Sequence, residues 1–314
     1  MRWMTYRSER DGGEHAALLL DGEAHALPAG VALVDLLADG QASLSAAAEQ
    51  AVADPFEVVP LPDVRLLAPV PRPPSVRDFM SFENHYKTTR EAMGAAVEPL
   101  FYEQPCFYFQ NPAAVIGPDE DVAIAPGSVE WDYELELAAV VGRPGRDLSP
   151  QEAEAHIAGY MVFCDWSARD HQKAEVVFTI GPHKGKDTAT STGPFLVTPD
   201  ELEPYRTERG YDLAMTASVN GRRLSEGSWA SIHWSFPQML AYASRGTELR
   251  SGDVIGSGTV GTGCLIELST VHSVAEYPWL VPGDEVVLEV EQLGALRGRI
   301  RPGAPVRPLQ HAAS

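Results

Sequence analysis

The chain has 314 residues, of which 44% are hydrophobic and 22% charged, a balance that excludes a disordered chain and allows one large domain with a small appendage or two ordinary domains. Its 44 acidic residues outnumber 24 basic ones, giving a formal net charge of -20. A field of that sign repels phosphate backbones and anionic lipid, so neither nucleic acid nor a membrane surface is expected as a partner, and an anionic substrate needs a local basic pocket.

In chain order, Leu18 to Leu27 reads as two strands around the Asp21-Gly22 turn, a good hairpin signal. Ala32 to Ala53 is Ala- and Leu-rich and reads as helix weakened by Gly40. Pro60, Pro62, Pro69, Pro71, Pro73 and Pro74 then each remove a backbone donor and mark an extended connector. The domain boundary is placed there, giving a small N-terminal unit, 1–70, and a larger unit, 71–314. Beyond it strand signals dominate: Cys106 to Phe109, Asp132 to Val141, Asp212 to Val219 running into Asn220-Gly221, Cys264 to Leu268, and Glu285 to Val290. Helical segments are few, Pro150 to Ala158 and Ser235 to Ala243. Many strands with few helices between them argue for a β-rich α+β fold and against a doubly wound sheet.

Cys106, Cys164 and Cys264 lack metal-ligand or disulfide-framework spacing, which favours a reducing compartment. The first residues hold no apolar run of signal-peptide length, and no stretch approaches the roughly 20 apolar residues of a membrane helix. The expected location is the cytoplasm.

Four segments carry chemistry. In Glu130 to Gly142, residues two apart face one side of a strand, so Glu134 and Glu136 share a face while Leu135 and Leu137 share the other. Two carboxylates in an otherwise Leu, Ala and Val strand repel each other, and a hard cation such as Mg²⁺, Mn²⁺ or Ca²⁺ relieves that. The same alternation also fits a solvated strand face. The apolar run Tyr160 to Cys164 ends abruptly at Asp165, which fits either a ligand at a strand end or a helix N-cap. Arg77 to His85 follows the prolines and contains a histidine that is either catalytic or structural. Gly258 to Leu268 is a glycine-rich turn entering an apolar strand with one acid, Glu267; it lacks the Gly-Lys-Ser/Thr ending of a P-loop.

Together these segments, from about Ser75 to Ile300, resemble the fumarylacetoacetate hydrolase family. Tyr133-Glu134-Leu135-Glu136-Leu137 resembles its Glu-x-Glu metal strand, and Asp165-Trp166-Ser167-Ala168-Arg169-Asp170 its most specific signature. Asp78 with His85 seven residues later resembles its Asp…His spacing, and Gly258-Thr259 followed by Leu265-Ile266-Glu267-Leu268 its late Gly-Thr…Glu segment. The resemblance implies a mixed β-sheet roll or barrel with a small N-terminal α/β domain. It implies Mg²⁺ or Mn²⁺, with Ca²⁺ as a further option, on Glu134, Glu136 and Asp165, with Asp78 as a fourth ligand found in some branches. It implies His85 as the water-activating base and Glu267 as its orienting partner. Arg169, Gln172 and Lys186 would bind substrate oxygens, with Lys184 as a rival to Lys186, and Thr259 would bind the substrate carboxylate. The implied substrate is a small anionic keto acid, cleaved at a C–C bond of a 1,3-diketo acid in aromatic-compound catabolism. The implied alternatives are decarboxylation of a β-keto acid and isomerisation of a hydroxydienedioate; a non-catalytic metal- or ligand-binding protein on the same fold is a further alternative, which predicts loss of the His and Glu pair that His85 and Glu267 retain. A homodimer is implied as well. Two departures stand out: Met80 replaces a substrate-binding tyrosine of the fumarylacetoacetate enzymes proper, and the N-terminal unit is shorter. Glu91 is the nearest candidate for the lid glutamate of shorter family members, its spacing from His85 is longer than theirs, and no role is assigned to it.

Overall fold

The computed structural model describes residues 1–92 and 94–309; the larger unit read from the sequence, 71–314, runs past the last of these. A 12-stranded sheet dominates. Its path runs Val58–Pro60, Glu23–Ala26, Glu14–Leu20, Arg2–Arg7, Thr190–Val197, Ile157–Asp165, Leu135–Val141, Val254–Gly256, Val76–Phe79 and Phe107–Gln110. Arg65–Leu67 and Val115–Ile116 attach off this path. Most pairs are antiparallel, but Val254–Gly256 runs parallel to Val76–Phe79 and Val115–Ile116 parallel to Thr190–Val197, so the sheet is mixed. Its path is open at both ends among the described residues, so the expected roll or barrel is a roll-like sheet and not a closed barrel. Strands of the first 60 residues join it directly through Arg2–Arg7 against Thr190–Val197. A second, five-stranded sheet orders Arg222–Ser228, Ala214–Val219, Glu285–Val290, Gly294–Arg301 and Val122–Ala123.

The central strands are buried on both faces, and their period of two sorts them between two cores. Leu135, Leu137, Ala139 and Val141 join one cluster with Tyr160, Val162 and Cys164. Ala138 and Val140 join the other with Met161, Phe163 and Trp3. Glu134, Glu136 and Asp165 have the parity of this second face and lie at the end where it runs out of hydrocarbon.

The turn signals hold. Asp21 and Gly22 take φ of 50° and 82°, and Asn220 and Gly221 take 52° and 77°, the left-handed pair that a two-residue hairpin turn needs. Gly40 splits the expected helix into Leu33–Leu37 and Gln41–Ala53. The helix expected over Pro150 to Ala158 stops at Glu154, and strand Ile157–Asp165 begins three residues later. Cys264 to Leu268 is corrected more substantially. Cys264 is extended, but Leu265–Val271 is a helix. An apolar run as short as Cys264 to Ile266 carries no decisive period, and here the buried Asp132 carboxylate accepts the N–H groups of Leu265 (2.7 Å) and Ile266 (3.0 Å), satisfying the donors a helix start leaves open. No helix among the described residues is long and apolar enough to cross a membrane.

Candidate metal centre and active site

Three strands, two of them adjacent and the third one strand further along, bring acids from distant parts of the chain to one end of the sheet. Register pairs Glu136 with Phe163 and Leu135 with Cys164, which sets Glu134 beside the end of the strand that closes with Asp165. On the other side Gly256 pairs with both Ala138 and Asp78. One carboxylate oxygen each of Asp78, Glu134 and Asp165 lies within 4.8 Å of the others, and all three side chains are buried.

Their surroundings explain how the acids share the space. Glu134 accepts from Lys186 Nζ at 2.5 Å and touches Arg169 Nη2 at 2.8 Å. Burial pushes its carboxyl up, but Lys186, Arg169 and His85 outweigh burial and hold it well below the usual range. Asp165 also receives Lys186 Nζ at 2.5 Å, yet burial raises its carboxyl strongly, with Glu134 and Asp78 adding repulsion. Asp78 is raised by burial in the same way. Among the described residues no cationic side chain pairs with Glu136. Its oxygens take the Gly258 N–H (2.9 Å) and face the Thr259 hydroxyl (3.4 Å), and burial followed by Asp78, Glu134 and Asp165 drives it far up.

Beside the acids stands a second pair. His85, on helix Glu83–Ala92, is 2.9 Å through Nδ1 from Glu267 Oε2 on helix Leu265–Val271. A carboxylate only accepts, so Nδ1 carries the proton and Nε2 presents a lone pair.

Each residue singled out in the sequence can now be placed. Asp78, Glu134, Glu136, Asp165, Lys186, Arg169 and Thr259 converge, with the His85–Glu267 pair adjoining them. Gln172 lies at the edge, accepting from Arg169 Nη1 at 3.0 Å. Lys186, not Lys184, reaches the acids; Lys184 is exposed and pairs with Asp187. Glu91 is exposed on the far turn of its helix, 4.0 Å from Lys87.

Three partners escaped the sequence reading. Tyr108 places its hydroxyl between Asp78 (2.7 Å) and Asp165, and burial raises that phenol well above its ordinary value. Gln110 donates to Asp78 at 3.3 Å while accepting from Thr190. Asp132 binds Arg169 Nε at 2.8 Å and caps the helix that carries Glu267, so one carboxylate fixes two parts of the site. Asp132 has the same strand parity as Glu134 and Glu136, a signal present in the sequence; nothing distinguishes Tyr108 from its aromatic neighbours.

The buried acids Asp78, Asp132, Glu134, Glu136 and Asp165 share two buried cations, Lys186 and Arg169. Among the described residues Asp165 Oδ1 has no hydrogen-bond partner. An all-oxygen donor set in charge excess with an orphaned oxygen fits a hard divalent cation. Mg²⁺ or Mn²⁺ at about 100-fold over its Kd should stabilise the fold by about 2.7 kcal/mol, a rise in Tm of roughly 5 °C. A Tm unmoved across a millimolar titration, with and without chelator, would exclude a cation here. Gly258 is equally exposed to test. At φ 78° it donates to Asp78 (3.1 Å) and Glu136, and an added Cβ would lie 2.2 Å from the Phe79 carbonyl oxygen. Gly258→Ala should therefore cost more than the roughly 1–3 kcal/mol of strained backbone alone and abolish the cation-dependent rise; thermal unfolding with and without Mg²⁺ checks both.

Fold and site define a strand-rich α+β protein with a buried acidic centre suited to a divalent cation. The chain belongs to the fumarylacetoacetate hydrolase family: residues 75–301 match the model for the fumarylacetoacetate (FAA) hydrolase C-terminal region. It is 30% identical over 273 residues to a human protein named oxaloacetate tautomerase FAHD2A, mitochondrial, covering 85% of this chain and 79% of the relative. The fumarylacetoacetate hydrolase of psychrophilic Exiguobacterium antarcticum superposes with a TM-score of 0.71 at 27% identity, over 96% of this chain and 99% of that one. A probable 2-hydroxyhepta-2,4-diene-1,7-dioate isomerase from Mycobacterium abscessus gives 0.72 at 25% identity, over 97% and 100%. This is an enzyme family whose members carry the names of tautomerases, hydrolases and isomerases.

Proposed function

We propose that the chain hydrolyses a C–C bond in a small 1,3-diketo acid of the acylpyruvate or fumarylacetoacetate type. The observation that carries this reading is the His85–Glu267 pair, with its free Nε2, set beside the acid cluster. Asp78, Glu134 and Asp165, with Glu136 behind them, would hold Mg²⁺ or Mn²⁺. When bound, that ion supplies Lewis-acid polarisation of a substrate carbonyl. His85 Nε2 takes a proton from water as the water oxygen bonds to the distal carbonyl carbon. Glu267 holds the imidazole in the required tautomer and stabilises the imidazolium that forms. The C–C bond then breaks, its electron pair stays with the pyruvate-type fragment as an enolate, and His85 returns the proton there. Lys186 and Arg169 provide the positive charge that an anionic substrate requires inside a chain of net charge -20. Gln172 and Thr259 offer hydrogen bonds at the rim and floor of the same space.

A second reading has its own support in the human relative named as an oxaloacetate tautomerase. The same base, without water, can move a proton between carbon and oxygen of a 2-oxo acid. Product analysis separates the two. Acetylpyruvate should yield equimolar acetate and pyruvate under hydrolysis. Accelerated loss of the oxaloacetate enol absorbance, with acetylpyruvate left intact, would replace hydrolysis by tautomerisation. Pyruvate and CO₂ from oxaloacetate would indicate decarboxylation, and conversion of a hydroxydienedioate without cleavage would indicate isomerisation.

A further inference from the structure

Beside the all-oxygen cluster lie three buried side chains of three donor types: the His85 imidazole, the Cys264 thiol and the Glu267 carboxylate. One ligand atom of each falls within 4.8 Å of the other two. His85 Nδ1 is 2.9 Å from Glu267 Oε2 and 3.9 Å from Cys264 Sγ. Cys264 and Glu267 sit at the start of one helix, whose first N–H groups Asp132 secures, and Cys264 bridges through its backbone to Glu134. The function read above uses His85 and Glu267 but has no task for the thiol.

We propose that this trio is a second metal site, selective for a borderline-soft dication of the Zn²⁺ type, and that filling it switches the enzyme off. Sulfur, imidazole nitrogen and carboxylate oxygen are the ligand types of Zn²⁺, whereas Mg²⁺ takes oxygen alone and keeps its waters. The two centres therefore sort ions by chemistry although they adjoin. Charge agrees with burial: a thiolate and a carboxylate cancel the two charges of the ion, leaving a neutral complex in a place where net charge is costly. With Zn–N near 2.0 Å and Zn–S near 2.3 Å, tetrahedral donors lie about 3.3–3.6 Å apart. The two gaps measured from His85 Nδ1, 2.9 Å to Glu267 and 3.9 Å to Cys264, need to change by only a few tenths of an ångström, the thiol and the carboxylate lie within 4.8 Å of each other, and the fourth position is left for water.

The protons account for the switch. Cys264 loses its thiol proton to solvent when sulfur ligates the ion. The ion takes the Nδ1 lone pair of His85, so the single N–H of the neutral ring moves to Nε2. A ring protonated at Nε2 donates and cannot accept a proton from water. The inhibition rests on the reading of His85 as the base; the metal site does not.

The test uses the full chain saturated with Mg²⁺ and adds Co²⁺ as a coloured stand-in for Zn²⁺. One equivalent should produce a thiolate-to-cobalt charge-transfer band, Zn²⁺ should bleach it, and turnover should fall in step. Cys264→Ser and Cys264→Ala should both lose the band and raise the half-inhibiting Zn²⁺ concentration at least about tenfold. Both should also keep the Mg²⁺-dependent rise in Tm, which shows that they fold. No band, or a band that survives in both variants and so belongs to Cys106 or Cys164, overturns the site. A Cys264-dependent band with unimpaired turnover leaves the metal site standing and overturns His85 as the base.

Discussion

His85→Ala should lower turnover of the cleaved diketo acid by about 10²–10⁴-fold while the Mg²⁺-dependent rise in Tm survives. The Nδ1 of the imidazole is committed to the Glu267 carboxylate, so Nε2 is the group positioned to accept a proton. None of the three converging carboxylates, Asp78, Glu134 or Asp165, is held by His85 through a hydrogen bond; their contacts are with Lys186, Arg169, Tyr108, Gln110 and Gly258. The cation site should therefore outlast the substitution. Stability should fall by about 1–3 kcal/mol, because Glu267 loses its partner in a buried position. Glu267→Gln should do less damage to turnover than His85→Ala, since an amide oxygen still accepts from Nδ1 but no longer stabilises the imidazolium. Product release and thermal unfolding, each with and without Mg²⁺, measure these effects. Near-wild-type turnover by His85→Ala would end the general-base assignment.

How much of this was readable without coordinates depends on the range of the interactions involved. The hairpins at Asp21-Gly22 and Asn220-Gly221 are local, and their residue types demand the left-handed backbone that the turns adopt. The acids Glu134 and Glu136 are readable for a similar reason: period two places them together in an apolar strand. That they meet Asp165 and Asp78 depends on the order of non-consecutive strands, with Val254–Gly256 inserted between Leu135–Val141 and Val76–Phe79. Local pattern does not encode that order; the family resemblance supplied it. The segment after Cys264 shows the opposite failure. Its apolar run suggested a strand, and a carboxylate 133 residues away in the chain made it a helix. Lys184 and Lys186 were indistinguishable by spacing, and only the packing that buries one ammonium between Glu134 and Asp165 separates them.

Glu136→Gln should make the metal-free protein more stable at neutral pH and, at the same time, remove most of its response to Mg²⁺. These effects have opposite signs and a common origin. Glu136 is buried, pairs with no cationic side chain among the described residues, and is repelled by Asp78, Glu134 and Asp165, so its carboxyl is raised well above the usual range. An acid raised by folding contributes its full stability below its unfolded pKa of about 4.3 and loses it as pH climbs through the higher folded value. The raised carboxyl of Glu136 therefore makes the metal-free fold less stable at neutral pH than at low pH. Glutamine keeps an oxygen for the Gly258 N–H and offers an N–H towards Asp78, without the charge. The stability difference between variant and wild type should be greatest at neutral pH and above. It should shrink as pH falls through the folded value and vanish below about pH 4. With Mg²⁺ the ordering should reverse, because the charge that destabilises the empty centre is the charge that attracts the ion. Chemical unfolding across pH, with chelator and with Mg²⁺, tests both halves. A variant less stable than wild type in chelator, or one that retains the full Mg²⁺ response, would show that Glu136 is a structural acid with no part in cation binding.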